Sequence, residues 1–211
     1  MYKNSHWVHD AVLTEKGKSQ AAALRDQFPY SDRIDLVISS PLRRAIQTAS
    51  IALGPTIARP EVNYLLVPMG QEVNDFKCDI GHSPSELKAQ IPELLDAENV
   101  GFDLGKIDFS LVKDGWNSKT GIYASDKETV KARAAALRSW LYQRSESNIL
   151  FVTHGAFLHF LTEDWTGDDP VRGTGYHNCE VRLFDFTPHS TADDAHIFET
   201  EESKAARVQP V

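Results

Sequence analysis

The chain has 211 residues, of which 41% are hydrophobic, with 22 Lys and Arg against 30 Asp and Glu. A chain of this length and composition is expected to form one globular domain with a substantial core. Its net charge of −8 argues against a duplex-binding surface, which needs a basic stripe, although a few local arginines can still hold a small anionic ligand such as phosphate.

Cysteine usage and the apolar pattern indicate a soluble protein of a reducing compartment. Cys78 and Cys179 lie far apart, and a chain of this size does not need a disulfide scaffold. The amino terminus has no apolar core of signal-peptide length, and no later run approaches the roughly 18 apolar residues of a membrane span. We therefore expect a cytoplasmic location and neither a membrane nor a nucleic-acid partner, while the oligomeric state stays open.

The first half of the chain alternates helical and strand patterns. Thr14 can cap a helix that continues to Phe28. The β-branched run at 34–40 predicts a strand, and the segment from Pro41 predicts a helix with proline in its first turn. A further strand is predicted at 62–68.

Residues 69–121 are rich in turn residues and predict loop with short helices, a length typical of a lid or substrate wall. Ser125 and Glu128 then form an S-x-x-E pattern that predicts a capping box before a long helix. The apolar run at 149–152 predicts a strand buried on both faces, and 180–186 predicts an edge strand.

This alternation predicts a layered α/β fold with a mostly parallel sheet flanked by helices. We expect a single domain over residues 1–200 and a flexible, polar tail over 201–211.

Four features that could carry chemistry lie near the predicted strand ends. In "SSPLRRA", one or both of Arg43 and Arg44 sit in the first turn of a helix, where a guanidinium fork and free N–H groups can clamp a phosphate or carboxylate. The alternative is a solvated helix face. Glu72 follows the next strand and can act as a proton donor, with Asp75 and Asp79 as competitors.

The third feature is His154 in "FVTHGAFLHF", where a strand turns into a helix at Gly155. Ligands bind at this edge of open α/β sheets, and the N–H groups of a helix start favour an anion. The alternative is a structural histidine that caps the turn. The fourth feature is "GTGYHNCE", in which Asn178 can point an amide at a ligand, although a plain turn explains the same pattern.

Several other chemistries lack their motifs. The sequence contains no H-E-x-x-H, G-x-S-x-G, G-x-x-x-x-G-K-[ST] or G-x-G-x-x-G motif. His154 and His159 are five residues apart and do not share a helix face for metal binding. We expect neither a metal ion nor another cofactor.

Read together, "SSPLRRAIQTA", "QEVNDFKCDIG" and "LFVTHGAFLHFL" resemble the histidine phosphatase superfamily, and in particular fungal phosphoglycerate-mutase-like proteins. The resemblance implies a three-layer α/β fold. It also implies that Arg44 grips the transferring phosphoryl group, that Glu72 protonates the leaving group and that His154 stabilises the phosphoryl oxygens. His154 as the nucleophile itself is the less favoured alternative.

The superfamily also uses an Arg-His-Gly or Arg-His-Ala triplet, at the end of its first strand, whose histidine becomes phosphorylated. This sequence lacks the triplet. The stretch "MYKN" aligns loosely with the residues that follow the triplet in relatives, and in this alignment Asn4 is the phosphate contact. The resemblance thus implies that the first strand is missing by truncation. The expected function is metal-independent hydrolysis of a small phosphate monoester, weak or absent in this chain. The alternative is a phosphate-binding protein without catalysis.

Overall fold

Four short strands form a parallel sheet at the centre of the fold. The computed structural model describes residues 7–169 and 174–208. In chain order the strands are β1 (Leu36–Ser39), β2 (Asn63–Leu66), β3 (Ile107–Asp108) and β4 (Ile149–Val152). Their order across the sheet is β3-β2-β1-β4, and Leu36 of β1 lies opposite Asn63 on one side and Ile149 on the other.

Helices connect and cover these strands. They are α1 (Glu15–Gln27), α2 (Arg43–Ala58), α3 (Pro84–Leu95), α4 (Lys127–Tyr142), α5 (Gly155–Thr162) and α6 (Glu201–Val208). A separate antiparallel pair, β5 (Phe184–Phe186) and β6 (Ile197–Glu199), follows α5. Among the described residues, no helix is both long and apolar enough to cross a lipid bilayer.

Side chains alternate along the central strands between two hydrophobic cores. Val37 packs with residues of α1, α2 and α3 on one face, whereas Leu36 and Ile38 pack with α4 and α5 on the other. This two-residue period divides the fold into three layers. Each fully buried aliphatic side chain in these layers contributes about 1.5–3 kcal/mol. The three-layer α/β architecture with a mostly parallel sheet is therefore confirmed.

Two helix starts differ from the prediction. Helix α2 begins at Arg43 with Leu42 as its N-cap, so Pro41 precedes the helix instead of lying in its first turn. Thr14 is the N-cap of α1, and its Oγ1 accepts a hydrogen bond from Gly17 N at 3.2 Å. The N-cap of α4 is Asp126 instead of the predicted Ser125, because its carboxylate accepts from Thr129 N at 3.0 Å. A reciprocal capping box does occur at the start of α3, where Ser83 is the N-cap.

The carboxyl-terminal region differs from the irregular tail predicted from residue 201. Residues 201–208 form α6, and Ser203 is buried. Its Oγ donates to Glu199 Oε1 at 2.6 Å and accepts from Leu183 N at 3.0 Å, which ties the helix to the β5–β6 pair. Long-range hydrogen bonds of this kind are invisible in a polar local sequence.

Strand β4 is the outermost strand of the four-stranded sheet in the described part of the chain. All four of its residues are partly exposed, whereas all four of β1 are buried. The expectation that the family's first strand is missing here stays a prediction.

Candidate active site

The carboxyl ends of β1, β2 and β4 meet at one edge of the sheet because the strands are parallel. Helices α2 and α5 begin at this edge, directly after β1 and β4. This arrangement brings Arg44, Glu72 and His154 to the same place although they are distant in the sequence. Electrostatic interaction of Arg44 with both Glu72 and His154 reflects this proximity.

Arg44 is held at the site by two short contacts. Its Nη1 donates to the carbonyl oxygen of Cys78 at 2.7 Å, and its Nη2 forms a 2.7 Å ion pair with Asp79 Oδ1. Both partners belong to the loop segment after β2. The neighbouring Arg43 turns instead to the backbone of His9 and Asp10, so only one of the two candidate arginines lies at the site.

Glu72 lies in an environment that raises the pKa of its carboxyl group. Its Oε1 accepts hydrogen bonds from Val73 N at 2.9 Å and from Phe157 N, in the first turn of α5, at 3.2 Å. Burial is the largest influence and raises the pKa of Glu72; nearby Asp79 raises it further, while the backbone donors and Arg44 oppose this. Of its competitors, Asp75 is exposed and Asp79 is paired with Arg44.

His154 is buried and does not cap the turn. It occupies the N-cap position of α5 without a capping hydrogen bond from its side chain, which contradicts the alternative of a capping histidine. Burial lowers the pKa of His154 well below its usual value, and the charges of Arg44, Lys119 and Arg133 lower it further. The imidazole is therefore neutral near pH 7. Its Nε2 is buried and has no hydrogen-bond partner.

Two further cations, which the sequence did not single out, join this cluster. Lys119 Nζ donates to the carbonyl oxygen of Glu72 at 3.0 Å. Arg133, on α4, donates through Nη1 to the carbonyl oxygen of Gln71 at 3.0 Å, and its guanidinium lies 4.8 Å from the ring centroid of Phe157. The sequence does contain one signal for Arg133, which interrupts the apolar stripe of α4 between Val130 and Ala134.

The three predicted substrate-binding residues have different positions. Gly155 begins α5, and a Cβ there would lie 2.7 Å from Thr174 Oγ1, so the close approach of these two segments requires glycine. Asn178 is exposed in a turn, and in the described residues it shows no hydrogen bond to Arg44, Glu72 or His154. Asn4 lies outside the described residues. Ligand contacts for all three stay predictions.

No set of three or more His, Cys, Asp and Glu side chains within 7–169 and 174–208 is arranged to hold a metal ion. The residues that converge at the sheet edge are instead two guanidinium groups, an ammonium group, a neutral imidazole and a carboxyl group whose pKa is raised. Such groups are suited to attract an oxyanion and to supply a proton to it. The fold and the cluster together define an α/β protein with a cationic cluster at one edge of its sheet.

The comparisons with known proteins identify the family. The model of the histidine phosphatase superfamily (branch 1) matches residues 3–99 and 109–194, so the chain belongs to this superfamily. Similar proteins include one from Schizosaccharomyces pombe named a probable phosphatase, 27% identical over 167 residues, which cover 79% of this chain and 72% of the relative. A phosphoglycerate mutase-like protein of Arabidopsis thaliana is 29% identical over 210 residues, with 82% and 72% coverage.

The fold has a counterpart among solved structures. Mycobacterial hydrolase 1 superimposes with a TM-score of 0.52 at 19% identity, and the match covers 94% of this chain and 91% of the hydrolase. At this identity the likeness concerns the fold alone.

Proposed function

We propose that this protein is a phosphatase-type domain that acts on a small phosphate monoester without a metal ion. The observation that carries the proposal is the convergence of Arg44, a Glu72 carboxyl whose pKa is raised by burial and a buried, neutral His154 at one edge of the sheet. The names of the relatives support a phosphatase-type activity. A cytoplasmic location and a small phosphorylated metabolite as partner are part of the same proposal.

The chemistry implied by membership has two steps. A histidine nitrogen attacks phosphorus, the P–O bond to the alcohol breaks, and Glu72 gives its proton to the leaving oxygen. Water then attacks the phosphohistidine and passes its proton to Glu72, which restores the acid. Arg44 and His154 hold the phosphoryl oxygens in both steps, because phosphoryl transfer depends mainly on positioning and charge stabilisation.

The nucleophile decides whether turnover occurs. The 211-residue sequence contains no Arg-His-Gly or Arg-His-Ala triplet, so the first step lacks its usual histidine in this chain. We therefore propose that turnover requires an additional segment that carries this triplet. The same observation favours the second candidate function, which is phosphate binding without turnover.

A phosphate-release assay separates the two candidates. Hydrolysis of p-nitrophenyl phosphate is measured in the presence of EDTA for the 211-residue chain and for the same chain preceded by a strand that ends in Arg-His-Gly. The phosphatase proposal expects hydrolysis by the extended chain only. In that chain Glu72→Gln should lower the rate roughly 100- to 10,000-fold, as loss of a general acid does.

The binding protein has a different signature. Inorganic phosphate or vanadate should raise the unfolding temperature of the 211-residue chain, and the extended chain should remain inert. A folded extended chain with neither hydrolysis nor ligand-induced stabilisation would exclude both functions.

A further inference from the structure

The charges of the site do not balance within the protein. Asp79 pairs with Arg44, burial raises the pKa of Glu72 and His154 is neutral. Lys119 and Arg133 remain, and in the described part of the chain neither lies within 4.0 Å of a carboxylate oxygen. The side chains at this edge therefore carry a net positive charge in either protonation state of Glu72, which suits a phosphomonoester dianion.

Unpartnered donors mark the place where such an anion would lie. Arg133 is 3% exposed, and its Nε and Nη2 have no hydrogen-bond partner among the described residues. His154 is 7% exposed, and its Nε2 has no partner in the same part of the chain. Buried polar groups of folded proteins are nearly always hydrogen-bonded, and an unpaired donor costs about 1–3 kcal/mol. Arg133 and His154 also interact electrostatically with Lys119, so the three groups surround one locus.

Lys119 is held at this locus by a rigid loop. The buried Trp116 donates through Nε1 to the carbonyl oxygen of His82 at 3.0 Å, and Asn117 Nδ2 donates to that of Gly81 at 2.7 Å. Lys119 itself has φ of +55°, a left-handed conformation that is costly for a residue with a side chain. Such strain persists where the surrounding structure enforces it, which is common at ligand sites.

We infer that Lys119 is a phosphoryl-binding residue, which the 113–123 loop supplies to the cluster of Arg44, Arg133 and His154. The inference rests on the proposed function and extends it, because Arg44 is already engaged with Asp79 and Cys78. Among the described residues, Lys119 Nζ makes one hydrogen bond, to the carbonyl oxygen of Glu72, and a neutral amine can also donate it. The ammonium charge is needed for the anion.

Titration of Lys119 gives a readout that a structural role would not change. Burial, and next the charge of Arg133, lower the pKa of Lys119 to about 8, against the opposing influence of Asp79 and Glu72. Arg44 and His154 also face it. A bound anion favours the charged amine, so phosphate binding at pH 8 should take up roughly half a proton at Lys119. Affinity should fall as the pH rises above 8.

The test is calorimetric titration of the 211-residue chain with inorganic phosphate at pH 8 in two buffers of different ionisation enthalpy. Lys119→Met should weaken binding roughly 10- to 100-fold, as loss of a charge-assisted contact does, and should abolish the half-proton uptake. Lys119→Arg should bind almost as tightly as the unaltered chain. Lys113→Met, at an exposed lysine of the same loop, is the matched control and should change nothing.

The outcomes distinguish this inference from the proposed function. Circular dichroism and urea unfolding first establish that each variant is folded. If folded Lys119→Met binds phosphate as tightly as the unaltered chain, or if Lys119→Arg is as weak as Lys119→Met, the role of the Lys119 charge is overturned while the phosphatase-type site stands. If the unaltered chain binds no phosphate, the inference fails, whereas the proposed function is decided separately by hydrolysis in the extended chain.

Discussion

Two arginines of this protein have opposite surroundings. All three guanidinium nitrogens of the partly exposed Arg43 donate hydrogen bonds, to the carbonyl oxygens of His9 and Asp10 and to Gln90 Oε1. In the buried Arg133 only Nη1 has a hydrogen-bond acceptor in the described residues. The Arg43 guanidinium therefore has its acceptors within the protein and joins the segment before α1 to α2 and α3. Arg133 keeps two donors available for the proposed anion.

The largest effect is expected from Arg43→Met. This change removes every donor to the His9 and Asp10 carbonyl groups and leaves the fully buried Asp10 carboxylate without its cation. Breaking a buried pair in this way costs about 3–5 kcal/mol of unfolding free energy. Urea unfolding measures the loss. A cost below 1 kcal/mol would show that this cluster is not structural.

Arg133→Met should have the opposite effect, which is little change in the free energy of unfolding but a loss of phosphate binding. It loses one hydrogen bond, worth about 1 kcal/mol, but removes two unpartnered buried donors that each cost about 1–3 kcal/mol, so unfolding without phosphate should change by at most about 1 kcal/mol. The stabilisation by inorganic phosphate should disappear. Thermal unfolding measures both quantities. It is followed first without phosphate and then over a roughly 20-fold to 100-fold range of phosphate concentration, with a control salt that matches the ionic strength. Equal costs for the Arg43 and Arg133 variants would remove the contrast between the clusters.

Asp10→Asn tests the structural role of the Arg43 cluster through the pH dependence of the free energy of unfolding. Burial raises the pKa of Asp10 from 3.8 to about 6, although Arg43 opposes this shift. Because the folded value lies above the unfolded one, the protonated acid stabilises the fold at low pH, and this contribution is lost as the pH rises through 6. The variant carries no such charge, so its stability relative to the unaltered chain should improve by about 1–3 kcal/mol between pH 4 and pH 7.

Denaturant unfolding at several pH values gives this difference directly. The φ of +41° at residue 10 does not complicate the comparison, since asparagine and aspartate both tolerate the left-handed region. Parallel pH profiles for the variant and the unaltered chain would mean that Asp10 does not titrate in this range.

Much of the architecture could be predicted from local sequence patterns. The strands β1, β2 and β4 and the helices α1 and α2 lie where apolar periodicity and Thr14 placed them. The C-terminal helix and the N-cap of α4 were not predicted correctly. Ser125 and Asp126 are both good caps, and only the backbone geometry selects between them. The order of the strands depends on contacts between distant residues, which local periodicity does not reveal.

The candidate site likewise contains residues that the sequence predicted and residues that it did not. Three motifs indicated Arg44, Glu72 and His154, because each follows a predicted strand and all parallel strands end at one edge. Lys119 and Arg133 carry no comparable signal. Lys119 belongs to a polar loop, and Arg133 lies 61 positions after Glu72 on a helix that packs on the other side of the sheet from α2.

The sequence by itself determined the alternation of strands and helices, the family and the three motif residues, since these depend on neighbouring residues and on short patterns. Local periodicity leaves Arg43 and Arg44 equivalent. Packing in the tertiary structure turns Arg43 toward the backbone of His9 and Asp10 and places Arg44 near Glu72 and His154, because successive residues of a helix point in directions about 100° apart. It also decided the charge balance of the site. Burial and proximity set the protonation of Glu72, His154 and Lys119, and both exist only once distant segments have come together.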